Sequence, residues 1–128
     1  MDEDVVLDAS AIMAALQLET GGDVVFATRA ARFVSTVNIV EVRTKLSDAG
    51  KSSVEIDEAL KIINMIEVDF TSEQARFAGD LRITTRRAGL SVGDRACLAL
   101  AAAKGAIAMT ADKIWADVEL PVRVVLIR

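Results

Sequence analysis

The chain has 128 residues, of which 52% are hydrophobic and 27% are charged, and this size and composition predict one domain with a core of its own. Histidine is absent, which excludes imidazole-based ribonucleases, histidine-ligated zinc hydrolases and serine–histidine triads, so an enzyme would need carboxylates and a hard metal ion. The net charge of -4 argues against a protein that wraps nucleic acid in a broad positive field.

Apolar runs alternate with segments of helical period along the whole chain, and glycines stand at several boundaries. The predicted elements, in chain order, are strand 4–7, helix 10–18, helix 23–30, strand 32–37, helix 38–50, helix 53–64, strand 65–70, helix 72–88, helix 91–104, strand 106–109, helix 112–118 and strand 122–127. Strands that are apolar on both faces and alternate with helices are typical of a parallel sheet covered on both sides. The predicted fold is α/β, a three-layer sandwich around a central, mostly parallel five-stranded sheet, in a single domain over 1–128.

The sequence has no apolar run of the roughly 18 residues that a membrane span needs. It also lacks the basic-then-apolar start that is typical of a signal peptide. We therefore expect a soluble, cytoplasmic protein. The single cysteine, Cys97, lies in an alanine- and leucine-rich stretch, which predicts a buried and unreactive thiol.

Three acidic residues follow predicted strands, at or near the start of the next helix: Asp8, Glu41 and Asp112. The carboxyl ends of parallel strands share one edge of a sheet, and ligands of open α/β folds bind in the crevice outside that edge. Asp94 adds a fourth carboxylate on a predicted helix face that points inward. The sequence therefore predicts one acidic pocket built from four distant segments.

Each of these acids also has a purely structural interpretation. Capping-box spacing relates three pairs of residues, namely Asn38 with Glu41, Ser52 with Glu55, and Ser91 with Asp94. Asp8 and Asp112 occupy first-turn positions that the helix dipole favours. We interpret Ser52 with Glu55 as a cap only. For the other acids, the arrival of four carboxylates at one edge of a small sheet favours a functional site.

A cluster of carboxylates also predicts a cation. Two carboxylates about 5 Å apart repel by roughly 3 kcal/mol at an effective dielectric constant near 20. The protein can relieve this repulsion by raising pKa values or by binding a divalent ion, and an all-oxygen ligand set favours Mg²⁺ or Mn²⁺ over zinc. Ser10 and Thr110, each two residues from an acid, are either supporting hydroxyls or ordinary helix-start residues.

Basic residues are concentrated in one part of the chain. Five of the 15 lie within 20 residues, namely Arg76, Arg82, Arg86, Arg87 and Arg95. This window is either a phosphate-facing patch or a solvated helix face. Aromatic residues make up only 4% of the chain and tyrosine is absent, which argues against recognition by stacking of bases.

Four segments taken together are more specific than any acid alone. They are VVLDASAIMAAL near the start, VNIVEV at 37–42, SVGDRACLALAAAKG at 91–105 and TADKIWADV at 110–118. In these segments the chain resembles the PIN-domain nucleases, and among them the VapC-type toxins of bacterial toxin–antitoxin pairs. The resemblance spans nearly the whole chain.

The resemblance implies that Asp8, Glu41, Asp94 and Asp112 are acidic site residues, with Asp8 and Asp94 foremost as direct metal ligands. It implies a PIN-like sandwich that hydrolyses RNA phosphodiester bonds with a magnesium-activated water, Mn²⁺ being a plausible substitute. It further implies a homodimer and a VapB-type antitoxin that blocks the pocket. Arg95 would either approach the substrate phosphate or pair with a site carboxylate.

Two predicted helices carry more apolar surface than a small domain readily hides. The helix at 10–18 is apolar almost all round, and Ile62 lies off the apolar face of the helix at 53–64. This surface either meets another chain or belongs to a crowded core. Trp115 is interpreted as a core anchor, and Asp117 as a solvated surface acid.

Two other function classes compete with the nuclease. A catalytically silent PIN-like module would keep the fold and act through protein–protein contacts, but retention of all four acids argues against it. A phosphoacceptor receiver domain also places acids at strand ends. That fold needs an acidic pair after its first strand, whereas Asp8 stands alone.

Overall fold

The computed structural model describes residues 2–128. The elements are β1 (Val5–Leu7), α1 (Ala9–Leu16), α2 (Gly22–Ala27), β2 (Arg32–Ser35), α3 (Thr36–Asp48), α4 (Ser53–Ile63), β3 (Ile66–Val68), α5 (Ser72–Asp80), α6 (Arg82–Thr85), α7 (Val92–Lys104), β4 (Ile107–Thr110), a 3₁₀ helix (Lys113–Asp117) and β5 (Val124–Leu126). The five strands form one sheet in the order β3-β2-β1-β4-β5, and every neighbouring pair is parallel. The predicted α/β fold with a five-stranded sheet is confirmed.

The central strands are buried on both faces because helices cover each side of the sheet. Val5 and Leu7 of β1 pack into a core with α1, α2, α3 and α4. Val6, which points the opposite way, packs into a second core with α5, α7 and the 3₁₀ helix. Trp115 belongs to this second core with 1% of its surface exposed, as an anchor should.

The order of the strands creates the crevice that matters for function. From β1 the chain proceeds to β2 and then β3 on one side, while β4 and β5 lie on the other side. Connections therefore leave in opposite directions on either side of β1, and a crevice opens between β1 and β4 at their carboxyl ends. Asp8 follows β1 directly, and Asp112 is the second residue after β4, so this crevice lies between two of the predicted site residues.

Several predicted boundaries are wrong by two or three residues: the helix predicted at 10–18 ends at Leu16, the helix predicted at 23–30 ends at Ala27, and the strand predicted at 65–70 ends at Val68. The strand predicted at 32–37 ends at Ser35, whose hydroxyl accepts a hydrogen bond from the amide of Val37 and so starts α3. The helix predicted at 72–88 is divided at Leu81 into α5 and α6. There the Leu81 carbonyl oxygen accepts hydrogen bonds from the hydroxyls of Thr84 and Thr85 in addition to the bond from the Thr85 amide.

The apolar helices belong mostly to the core. In α1 the run from Ala11 to Ala15 is buried, so the crowded-core interpretation is right for that helix. Leu18, just after α1, is 88% exposed, and Ile62 of α4 is 68% exposed. Cys97 is fully buried, as predicted. Within residues 2–128 the helices are too short or too polar for any of them to cross a lipid bilayer.

Candidate functional site

Asp8 lies between the carboxyl ends of β1 and β4 with only 3% of its surface exposed. It is the N-cap of α1, and its Oδ1 accepts hydrogen bonds from the Ala11 amide (2.8 Å) and the Ser10 hydroxyl (2.7 Å). Its Oδ2 accepts a short hydrogen bond from the Thr110 hydroxyl. A buried carboxylate is therefore held entirely by neutral donors.

The two hydroxyls that contact Asp8 also contact the backbone after β4. Ser10 Oγ accepts from the Ala111 amide (2.9 Å), and Thr110 Oγ accepts from the Asp112 amide (3.0 Å). Each hydroxyl thus links the Asp8 carboxylate to the start of the segment that carries Asp112. The sequence suggested supporting hydroxyls at both positions, and both contact the carboxylate directly.

Asp94 and Asp112 serve as helix caps. Asp94 forms a capping box with Ser91 at the start of α7, with one oxygen accepting from the Ser91 amide (2.8 Å). Asp112 is the N-cap of the 3₁₀ helix and accepts from the Ile114 amide (3.1 Å). Asp94 is half-buried, whereas Asp112 is exposed. Asp94 thus forms the predicted capping box, whereas Asp112 is an N-cap rather than a first-turn residue, and the second carboxylate oxygen of each accepts no hydrogen bond within residues 2–128.

The capping box predicted for Asn38 and Glu41 is wrong. Because Ser35 caps α3, the helix begins before Asn38, and Glu41 lies in its second turn. The Asn38 side chain instead donates from Nδ2 to Glu41 Oε1 (2.8 Å) and to the carbonyl oxygen of Gly93 (3.1 Å). Asn38 therefore bridges α3 and α7. The three-residue spacing from Glu41 indicates an interaction between the two side chains but not the bond to Gly93.

The Glu41 carboxylate fills the space that a side chain at position 93 would occupy. A Cβ atom built on Gly93 would lie 2.2 Å from Glu41 Oε1 and 2.4 Å from Glu41 Oε2. Gly93 immediately precedes Asp94, so the contact brings the Glu41 carboxylate to the N-terminus of α7. Glycine at this position permits the approach.

Burial and neighbouring negative charges raise the pKa values of Asp8, Asp94 and Cys97. Burial raises the pKa of Asp8 to about 6 against the donors that hold it, and the negative charge of Asp94 adds to the rise. Burial also raises the pKa of Asp94, and the charge of Asp112 acts in the same direction. Burial raises the pKa of the Cys97 thiol far above its ordinary value, and the charges of Asp8, Asp94 and Glu41 raise it further.

The carboxylates nevertheless do not meet at one point. Among residues 2–128, no three acidic, cysteine or histidine side chains are close enough together to hold a metal ion as they stand. Hydrogen bonds turn Asp94 toward Ser91, Asp112 toward Ile114, and Glu41 toward Asn38. None of the four acids forms an ion pair with a basic side chain in the described part of the chain.

Arg95 turns away from the acids beside it. Its Nη1 donates to the carbonyl oxygen of Ala78 in α5 (2.9 Å), which fixes the packing of α5 on α7. Its charge lowers the pKa of Asp94 and so opposes burial and the charge of Asp112. The other arginines of the basic window are exposed and form no ion pair within residues 2–128: Arg76, Arg82, Arg86 and Arg87.

Comparison with known proteins agrees with this architecture. The family model of the PIN domain matches residues 5–120 of this chain. A comparison with curated proteins finds no match.

Several solved structures share the fold over nearly the whole chain. A toxin–antitoxin complex from Klebsiella pneumoniae matches with a TM-score of 0.76 and 15% identity, covering 97% of this chain and 98% of that one. VapBC2 from Rickettsia felis, bound to a promoter DNA fragment, matches with a TM-score of 0.71 and 16% identity over 96% and 98%. VapC20 from Mycobacterium tuberculosis, a sarcin–ricin loop cleaving toxin, matches with a TM-score of 0.70 and 18% identity over 93% and 98%.

Replacing Asp8 should stabilise the metal-free protein at neutral pH. The pKa of Asp8 is about 6 in the folded protein against an ordinary 3.8, so the folded state binds the extra proton between these values. Stability should therefore fall as the pH rises through this window, by at most about 3 kcal/mol from Asp8 alone. In chelator, Asp8→Asn should unfold at higher denaturant than the wild type at about pH 7.5 and at similar denaturant near pH 3.5. A stability difference that does not change with pH would contradict the burial of a charged carboxylate.

The contact between Glu41 and Gly93 predicts that alanine substitution affects the stability of the protein differently at two helical glycines. Gly79 of α5 has open space beside it, so Gly79→Ala should stabilise the protein by about 0.5–1 kcal/mol. Gly93→Ala should lose this gain, because the new methyl group expels the Glu41 carboxylate from its hydrogen bond with Asn38. Denaturant unfolding of both variants measures the difference. Equal stabilisation would show that Glu41 does not occupy this space.

Proposed function

The chain belongs to the PIN domain family, and we propose that it is a metal-dependent endoribonuclease, the VapC-type toxin of a toxin–antitoxin pair. The observation that carries this proposal is the position of Asp8, which is buried after β1 and linked through the Thr110 hydroxyl to the amide of Asp112, with Asp94 at the start of α7. Glu41 joins them at the N-terminus of α7. A chain without histidine has no other evident set of groups for hydrolysis at neutral pH.

The chemistry of the donor set fits Mg²⁺ or Mn²⁺. All four candidate ligands are carboxylates. Burial raises the pKa of Asp8, and no basic side chain in the described part of the chain forms an ion pair with any of the four. A divalent cation would supply that positive charge. Asp94 is held by the capping box of α7 and Asp112 by an N-cap hydrogen bond, each worth about 1 kcal/mol, so turning toward a cation would cost little. Asp8, Glu41, Asp94 and Asp112 would hold the ion, with Asp8 and Asp94 as the main direct ligands.

Asp8 is the most firmly oriented of these ligands. An ionised carboxylate offers about four acceptor positions, of which the Asp8 hydrogen bonds use two on Oδ1 and one on Oδ2. The remaining position on Oδ2 can face a cation, while Ser10 and Thr110 prevent the side chain from rotating. When bound, the cation would lower the pKa of water in its shell and neutralise charge on the scissile phosphate.

The choice of RNA rests on the family and on its neighbours. Attack by water on the phosphate does not require a ribose 2′-hydroxyl, so the four acids alone do not discriminate RNA from DNA. VapC20, which shares the fold, is described as cleaving the sarcin–ricin loop. The exposed arginines of α5, α6 and the loop after α6 would then offer phosphate contacts near the start of α7.

We also propose that a VapB-type antitoxin binds this chain and that the chain forms a homodimer. Several solved structures with this fold are toxin–antitoxin complexes. Leu18 and Phe26 are exposed and line the same shallow groove beside α1 and α2, which is an unfavourable arrangement for apolar side chains in water. A protein partner on this groove would remove them from solvent.

Cleavage of RNA by the purified chain tests the proposal. We expect single-stranded RNA to be cut in Mg²⁺ or Mn²⁺ and to remain intact in chelator. Asp8→Asn should reduce the rate at least about 100-fold, since even residues that only support a metal ligand are worth 10–100-fold. Asp117→Asn changes an exposed acid near the site and should keep the wild-type rate.

The controls separate the nuclease from its rivals. Equal cleavage by the wild type and Asp8→Asn would indicate a contaminating nuclease. No cleavage by a folded wild type, with retained binding to a protein partner, would support the silent PIN-like module instead. A single-stranded DNA of the same sequence measures the preference for RNA.

A further inference from the structure

Asn38 is buried, with 1% of its surface exposed, and its orientation is fixed by its surroundings. Both hydrogens of its amide nitrogen are used, one on Glu41 Oε1 and one on the Gly93 carbonyl oxygen. Exchanging the amide oxygen and nitrogen would place the oxygen against two acceptors, one of them a carboxylate. The amide nitrogen of Asn38, and not its oxygen, therefore faces Glu41 and Gly93.

The two bonds of Asn38 lead to two different acids. The bond to Oε1 holds the side chain of Glu41, which belongs to the same helix, α3. The bond to Gly93 holds the peptide group directly before Asp94, at the start of α7. One side chain thus fixes the carboxylate of Glu41 relative to the backbone that carries Asp94, across 55 residues of sequence.

The other end of the Asn38 amide indicates more than a structural bridge. Its Oδ1 is buried and accepts no hydrogen bond from any residue in the described part of the chain. Leaving a buried acceptor unpaired costs about 1–3 kcal/mol, and most buried polar groups of folded proteins avoid this cost. The two donor bonds of Asn38 are therefore retained at a cost in stability.

We propose that Asn38 is a positioning residue for the acidic site: it holds Glu41 at a fixed distance from Asp94 and so sets the affinity for a divalent cation. This inference rests on the proposed metal-dependent nuclease. It assigns to Asn38 a role through Glu41 rather than contact with the substrate. Loss of the bridge would leave Glu41 free to move away from α7 without removing any carboxylate.

Binding of Mn²⁺ alone, followed by electron paramagnetic resonance or calorimetry, gives a readout that does not depend on activity. Asn38→Leu keeps the volume and removes both donors, and we expect Mn²⁺ affinity to fall about 10–100-fold, as for other residues that orient metal ligands. The matched control is Gln74→Leu in α5, another buried amide with an unpaired oxygen, which lines a groove together with Phe77 and Ala99. That control should leave Mn²⁺ affinity within about twofold of the wild type.

A double-mutant cycle separates positioning from general destabilisation. In a Glu41→Gln background, adding Asn38→Leu should reduce Mn²⁺ affinity further by less than about twofold, because the carboxylate that Asn38 positions has already been replaced by a neutral amide. Gly93→Ala, which displaces Glu41 by another route, should reproduce the loss if Asn38→Leu does not fold. RNA cleavage at subsaturating Mn²⁺ should fall in parallel with affinity.

The outcomes distinguish this inference from the proposed function. If the wild type binds Mn²⁺ and Glu41→Gln weakens binding, but Asn38→Leu behaves like Gln74→Leu, the positioning role is wrong and the nuclease proposal stands. A full additional loss in the Glu41→Gln background would also overturn it. If the wild type binds no Mn²⁺, the proposed function fails first.

Discussion

The structure depends on a carboxylate buried where two strands diverge. Asp8 follows β1 at the point where the sheet order reverses toward β4, and it has almost no contact with solvent. Burial disfavours its charge, as the raised pKa shows, and only neutral hydroxyl and amide groups compensate. A fold that keeps such a group at its central crevice accepts a cost in stability that a bound cation would remove.

The same residues serve the fold and the site. Asp8 and Asp112 are N-caps and Asp94 belongs to the capping box of α7, so the hydrogen bonds that begin these helices also place carboxylates around the crevice. Ser10 and Thr110 also serve both purposes, because each hydroxyl joins the Asp8 carboxylate to the backbone after β4. Capping and function are therefore compatible interpretations here, and the sequence pattern that suggests one does not exclude the other.

The two helices that complete the site approach each other through small and polar groups. Gly93 leaves room for the Glu41 carboxylate, and Asn38 ties that carboxylate to the backbone of α7. Coupling of this kind makes the position of Glu41 depend on the packing of α3 against α7 rather than on its own helix. This PIN-domain chain thus builds its acidic region from contacts between layers, and it shares its fold with the three compared structures at only 15–18% identity.

The order of the main elements, the parallel sheet and the edge at which the acids lie can be predicted from the sequence alone, because hydrophobic period and strand–helix alternation are local signals. The sequence also indicated the capping box of Ser91 with Asp94, which depends on residues three positions apart. The bridge from Asn38 to Gly93, and the fact that the Asn38–Glu41 spacing is not a cap, become evident only in the folded chain. Those outcomes depend on which donors and acceptors distant segments bring within about 3 Å, and no local pattern encodes that distance.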